Sequence, residues 1–275
     1  MILESLTLEH YEKIDSYIPV NLLSFTGFII AFAVVLFFIL VRYFLMVGGA
    51  YSVYWKNKPF SLPGFILHDK SLPTEQIKNE IKWSLVSSFI FAFSGVFLGL
   101  LWQAGFTQFY VKFDQYGLWY LPLSFFLYTL VHEFYFYFTH VWMHKPSIYS
   151  KVHAVHHASV KISPWASFSF HPLEAIVHAA FLPVMVLWLP IHPLVVICYL
   201  TFMTITAISN HLGVEVIPFE WARKLFISGE HHSKHHRKMK INYGLYYTFI
   251  DRIMGTEAHN NNTNNQLSNM GKSYE

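Results

Sequence analysis

Three short clusters hold eight of the seventeen histidines in this 275-residue chain. They are His140-Val-Trp-Met-His144, His153-Ala-Val-His156-His157 and His232-Ser-Lys-His235-His236. On a helix, positions three and four apart share a face, so each cluster aims two or three imidazoles in one direction. A metal ion needs several lone pairs converging at about 2.0–2.2 Å, and helical spacing supplies that convergence without a long loop. Metal-free imidazoles so crowded would repel one another when protonated. Eight or nine rings exceed what one ion can use, so the expectation is two ions. Imidazole suits iron, zinc, copper and nickel alike. A catalytic zinc usually keeps three protein ligands and an open position for water, which suits hydrolysis. Redox-active iron can activate O2 against an unactivated C–H bond, which lipids have in abundance. Iron is the reading on that mechanistic ground rather than on spacing. The isolated His10, His68, His178, His192 and His259 read as packed or hydrogen-bonded residues.

The elements that must position these clusters are apolar. The chain is 54% hydrophobic, 19% aromatic and only 13% charged, against about 25% charged in an ordinary soluble domain. That excludes a disordered protein and argues against a water-soluble globule. A formal charge of +3, with no basic stripe among exposed aromatics, gives no case for nucleic acid. One cysteine, Cys198, allows no internal disulfide and no thiolate cluster. Leu22 to Val41 is free of charge and is stopped by Arg42. At about 1.5 Å per residue it crosses a ~30 Å hydrocarbon core. Trp83 to Val111 is a second uncharged run, and Leu118 to Val131 a third that continues through Glu133 to His140. Ala175 to Leu212 lacks Asp, Glu, Lys and Arg and is interrupted by Pro183, Pro190 and Pro193. It reads as a helical hairpin, about 175–189 and 193–210, because proline ends or kinks helices.

The fold class expected is all-α: a polytopic membrane bundle of about four to five spanning helices with a histidine-rich metal-binding cap. Basic residues concentrate between the first two runs and around the clusters, and basic loops stay cytoplasmic. This places the cap on the cytoplasmic side. Residues 1–21, with Glu4, Glu9, Glu12 and Asp15 against Lys13, form an outer segment that does not resemble a basic signal peptide. Residues 22–74 then hold the first span and a basic linker, and 75–257 a catalytic unit. The Asn-rich tail 258–275 is low-complexity and expected to be disordered. Asn261-Asn262-Thr263 within it fits a glycosylation pattern by chance.

The order and spacing of the clusters, HxxxH, HxxHH and a later HxxHH, resemble the fatty acid hydroxylase/sterol desaturase superfamily of membrane non-haem di-iron enzymes. The resemblance covers roughly residues 75–257. It extends to Glu133 through Tyr137, His171-Pro172-Leu173-Glu174, Asn210-His211-Leu212-Gly213, Asn242-Tyr243-Gly244, and Asp251-Arg252 with Gly255-Thr256. Ser228-Gly229-Glu230-His231-His232 and Ser167 to Pro172 look most like the sterol C5-desaturase branch. Glu133 stands where Asp is common in the family, and Phe138 where Trp is common.

The resemblance implies that His140, His144, His153, His156, His157, His232, His235 and His236 bind metal, with His211 as a ninth ligand. His132, His171 and His231 would support the site. Glu133 and Glu174 would hold the ligands' second ring N–H, as ligating histidines usually require. Glu215 would do likewise or bind metal directly. The implied activity is O2-dependent desaturation or hydroxylation of a sterol or acyl lipid by two non-haem irons. No cytochrome b5-like domain is fused, so a separate donor such as cytochrome b5 or ferredoxin would supply the electrons. The membrane would be the endoplasmic reticulum in a eukaryote or the inner membrane in a bacterium. Phe134 to Phe138 could line a lipid path or simply pack at the interface. The rivals are a fatty acid or carotenoid hydroxylase of the same superfamily, a zinc-dependent membrane hydrolase and a metal transporter. This chain lacks the HExxH signature that would favour the hydrolase. The transporter would want its ligands at mid-membrane.

Overall fold

The computed structural model describes residues 18–56, 65–67 and 72–258. His10, His68 and His259, the acidic residues before position 18 and the Asn-rich tail from 259 lie outside the described residues.

Helix α1, Phe25–Tyr51, starts at Ser24, whose hydroxyl accepts from the Gly27 N–H. Its side chains are apolar nearly all round, and Phe37, Phe38 and Leu45 are exposed, as lipid-facing residues would be. The run was expected to end at Arg42. The helix instead continues through it into a π-helical turn, Ser52–Lys56. Arg42 is a good helix former and lies only partly exposed among long apolar neighbours. A charge ends an uncharged run; it does not end a helix.

After the short strand β1, Phe65–Ile66, helix α2 covers Thr74–Gln103. It begins nine residues before the uncharged run and ends eight before the expected Val111, because Gly105 turns the chain in the left-handed region at φ 74°. Phe89 and Phe93 of α2 meet Phe32 and Phe28 of α1 at 6.0 and 5.8 Å. The opposite side presents hydroxyls: Ser84 donates to the Trp165 carbonyl, Ser87 to Phe170 and Ser94 to Ala179. Such small polar residues let helices approach closely where lipid offers no hydrophobic drive.

Helix α3, Tyr120–Met143, leads into two short helices, α4 (Pro146–Val152) and α5 (Ala154–His157). A 3-10 turn, Pro164–Phe168, precedes the hairpin α6 (Pro172–Met185) and α7 (Pro193–Asn210). His171 caps α6 and His192 caps α7, each ring accepting from the N–H two residues on, with proline in the first helical position. Strand β2, Val214–Glu215, pairs antiparallel with β1, Ile66 opposite Val214. The cap ends with α8 (Glu220–Arg223), α9 (Gly229–Lys238) and α10 (Phe249–Ile253).

The protein is thus a mainly helical integral membrane bundle. Among the described residues, three helical stretches are long and apolar enough to cross a bilayer: Phe25–Lys56, Thr74–Gln103 and Pro193–Asn210. That is fewer than the four to five expected. Helix α3 has the length, but Tyr, His and Glu dilute its hydropathy. Helix α6 has 14 residues, about 21 Å, which is short of a ~30 Å core.

Candidate metal centre

Helix α3 delivers His140 from its last turn and His144 as its C-terminal cap. His153 caps α5, and His156 and His157 lie on it. His211 closes α7. His232, His235 and His236 lie on α9, which Ser228 caps by accepting from the His231 N–H. These nine rings form two groups whose candidate ligand atoms lie within 4.8 Å of one another. One group is His140, His144, His153, His157 and His235. The other is His156, His211, His232 and His236.

The partition follows from helical phase. In each HxxHH cluster the last histidine lies about 40° to one side of the first and the middle one about 60° to the other, so the two adjacent rings diverge by about 100°. So His153 and His157 join the first group and His156 the second, whereas His232 and His236 join the second and His235 the first.

Hydrogen bonds at the other ring nitrogen orient five of the rings. His140 Nδ1 donates to the Tyr243 carbonyl at 2.9 Å, and His235 Nδ1 to Ile241 at 2.7 Å. His211 Nδ1 donates to Ala207 at 2.8 Å and His156 Nδ1 to Ser169 at 3.3 Å. His153 Nδ1 meets the Glu174 carboxylate at 2.6 Å. A carbonyl only accepts, so the four rings bonded to carbonyls carry the proton on Nδ1 and present Nε2 as a bare lone pair, and an ionised Glu174 imposes the same on His153. Yet His140 and His153 bring Nε2 atoms to 3.1 Å, and His156 and His211 to 3.2 Å. The His156–His211 contact is not a hydrogen bond, since neither side has a proton to give, and with Glu174 ionised the same holds for His140 and His153. A cation bonded at about 2.2 Å to two nitrogens at right angles would set them about 3.1 Å apart. The donor set therefore fits a metal ion in each pocket.

Burial keeps the rings in the form a metal requires. It pushes His144 down to about 3, with His235 adding to the effect. It pushes His211 down to about 4 against the opposing pull of the Ala207 carbonyl. His153, His156, His157, His232, His235 and His236 are all lowered, by burial first and neighbouring imidazoles next.

The supporting residues divide. Glu174 holds a cage imidazole, His153, as expected, and lies 3.5 Å from His178 Nε2. Glu133 does not hold a ring N–H. It accepts from the backbone N–H groups of Leu245, Tyr246 and Tyr247 at 3.1, 2.6 and 3.3 Å. His132 faces the hydroxyls of Tyr199 and Tyr246 rather than a cage histidine. His171 is occupied in capping α6. Glu215 accepts from the Ile217 and Glu230 N–H groups, so it fixes the loop into α9 and binds no cage ring. His231 is half-buried with both ring nitrogens enclosed, pushed by desolvation and then Lys234 down to about 3, and belongs to neither pocket. Of the aromatic run, Phe136 touches the cage, 5.0 Å from His140, while Phe134 and Phe138 face outward.

Tyr243 was not singled out as a site residue, although it supports the first pocket. Its carbonyl orients His140 and its ring lies against His144 and His235 at 5.2 and 5.4 Å. Asp251 accepts from the Tyr243 and Gly244 N–H groups and so holds that carbonyl in place. The pairing of Asn242-Tyr243-Gly244 with Asp251 was the available signal.

Fold and site together define a membrane-embedded helical protein with a two-pocket histidine cage. The fatty acid hydroxylase family model matches residues 125–256. The Delta(7)-sterol 5(6)-desaturase ERG3B of Gibberella zeae is 30% identical over 221 residues, 77% of this chain and 67% of that protein. The erg3C desaturase of Aspergillus fumigatus is 29% identical, covering 69% of this chain and 65% of its own length. Human lathosterol oxidase is 28% identical, covering 66% and 61%. The chain belongs to the fatty acid hydroxylase/sterol desaturase superfamily. It spans about two thirds or less of the length of these relatives. No solved structure matches it.

Proposed function

We propose that this protein is an O2-dependent membrane oxidoreductase that desaturates a lipid, with a sterol as the first candidate substrate. The observation that carries the reading is the convergence of bare Nε2 lone pairs in two adjoining pockets. Similarity to sterol desaturases over most of the chain supports the substrate class. His140, His144, His153, His157 and His235 hold one ion, and His156, His211, His232 and His236 the other. Iron is favoured over zinc on chemical grounds, because oxidation of an unactivated C–H bond by O2 needs a redox-active ion and zinc has no redox chemistry. Two bound irons would supply O2 activation and the electron steps.

The chain's own residues do the rest. Glu174 and the carbonyls of Tyr243, Ile241, Ser169 and Ala207 keep the protons on Nδ1 and the lone pairs inward. Desaturation consumes O2, two electrons and two protons, removes two hydrogens from adjacent carbons and yields two waters. The electrons come from a separate donor such as cytochrome b5 or ferredoxin. Residues 75–257 form the catalytic unit, with the cage on the cytoplasmic side. Hydroxylation of an acyl lipid is the alternative within the same cage. Glu174 faces Nδ1 of His153, outside the pocket, so it is not placed to act as the base of a hydrolase.

The test is lipid mass spectrometry of a host with and without the gene, aerobically and anaerobically. A sterol two mass units lighter, formed only with O2, is expected. A gain of sixteen units on an acyl chain would shift the reading to a hydroxylase. Activity that persists without O2 would end the oxygenase reading.

A further inference from the structure

Away from the cage, the cap carries an apolar surface. Phe219, Trp221, Leu225 and Phe226 lie on α8 and its flanks, and Ile253 and Met254 end α10. All six are exposed, Trp221 at 62% and Ile253 at 75%. Exposed apolar side chains are ordinary one at a time; a contiguous set marks a contact surface.

The two segments are one unit. The Thr248 N–H donates to the Leu225 carbonyl at 3.1 Å and the Ile227 N–H to Tyr246 at 2.9 Å. Arg252 Nη2 donates to the Lys224 carbonyl at 2.8 Å, and the rings of Phe226 and Tyr247 lie 5.8 Å apart. The surface also continues onto the bundle. Phe249 of α10 meets Phe134 of α3 at 5.9 Å. Phe126, Phe134 and Phe138 share one outward face of α3, and all three are exposed. Helix α3 packs on α7, a candidate span.

The charged residues of these two segments are paired or hydrogen-bonded. Glu220 pairs with Lys224 at 2.8 Å, Arg223 donates to the Ile217 carbonyl at 3.0 Å, and Arg252 pairs with Glu257 at 3.0 Å. The exposed aromatic and aliphatic side chains therefore stand beside exposed ion pairs, Glu220–Lys224 and Arg252–Glu257. That composition suits the boundary between headgroups and acyl chains.

We propose that residues 219–226 and 249–254 form an in-plane collar that sinks into the headgroup–acyl boundary of the bilayer. The collar shares its backbone ladder with Tyr246 and Thr248, next to the Tyr243 carbonyl that orients His140. The bilayer surface therefore meets the cap on the flank where α3 enters the cage. If the cage oxidises lipid, as proposed above, this flank brings membrane lipid to it without a passage through water. The placement of the collar does not depend on that reading.

The single cysteine makes the test direct. In a Cys198→Ser background, Trp221→Cys and Leu225→Cys each take a nitroxide label, as does Lys238→Cys on α9 as a control. The full chain is placed in phosphatidylcholine nanodiscs, and collisions with O2 are compared with those of a water-soluble nickel chelate. Labels at 221 and 225 should show a several-fold excess of O2 over nickel collisions, and the label at 238 the reverse. Nickel access at 221 and 225 equal to that at 238 would overturn the collar. Low access to both reagents would also overturn it, because protein and not lipid would then cover the surface.

Discussion

Glu133→Gln tests the link between the bundle and the first pocket. Glu133 is fully buried, and its carboxylate accepts three backbone N–H groups from residues 245–247. Oε2 receives Tyr246 and Tyr247; Oε1 receives Leu245. In its better orientation, a glutamine keeps its oxygen at the Oε2 position. Its amide nitrogen then confronts the Leu245 N–H, donor against donor. Two buried donors are left without an acceptor, each worth about 1–3 kcal/mol, for a total of about 2–6 kcal/mol. At roughly 2–4 °C per kcal/mol for a chain of this size, the unfolding midpoint should fall by roughly 4–24 °C. The same backbone stretch carries the Tyr243 carbonyl that holds His140, so metal should leave the first pocket before the second. Thermal unfolding of the metal-loaded protein in nanodiscs, with metal content measured across the transition, reads both effects. A glutamine variant that melts and retains metal like the parent would refute the idea that this carboxylate anchors the cage.

Three other perturbations have definite outcomes. Metal analysis should give close to two ions per chain, and His156→Ala or His235→Ala should lower that content together with activity; unchanged values would remove the ligand assignment. Glu174→Gln keeps an acceptor for His153 Nδ1 but loses its charge, and should weaken metal binding by about tenfold in a chelator competition, whereas Glu75→Gln, on an exposed ion pair with Lys78, should not. Gly244→Ala should fail to accumulate in membranes, because its Cβ would lie 2.8 Å from the Tyr247 carbonyl and 2.9 Å from the carboxylates of Glu133 and Asp251; normal expression on an immunoblot would contradict that packing.

The cage was legible in the sequence because helical spacing and imidazole chemistry are both local. The nine histidines that gather are those singled out from the clusters and from Asn210-His211-Leu212-Gly213. Long-range partners were not legible. Glu133 lies next to His132 in the chain and close to the first cluster, so it read as a ligand holder. Its actual partners are 112–114 residues away. Helix ends were also missed where an uncharged run was taken for the helix itself. The α2 helix begins among Glu75, Lys78 and Glu80 because helix formation depends on backbone preference and capping, while a charge-free run measures only lipid solubility.

His156 and His157 are joined by one peptide bond, as are His235 and His236, yet each pair divides between the two pockets. The pockets therefore share a yoke. An ion seated in one would set the rotation of α5 and α9, and that rotation would fix where the other's rings stand. Occupancy should rise in both together during maturation, with half-filled chains scarce. No single histidine of these doublets could be exchanged for another ligand type without re-aiming its neighbour across the wall.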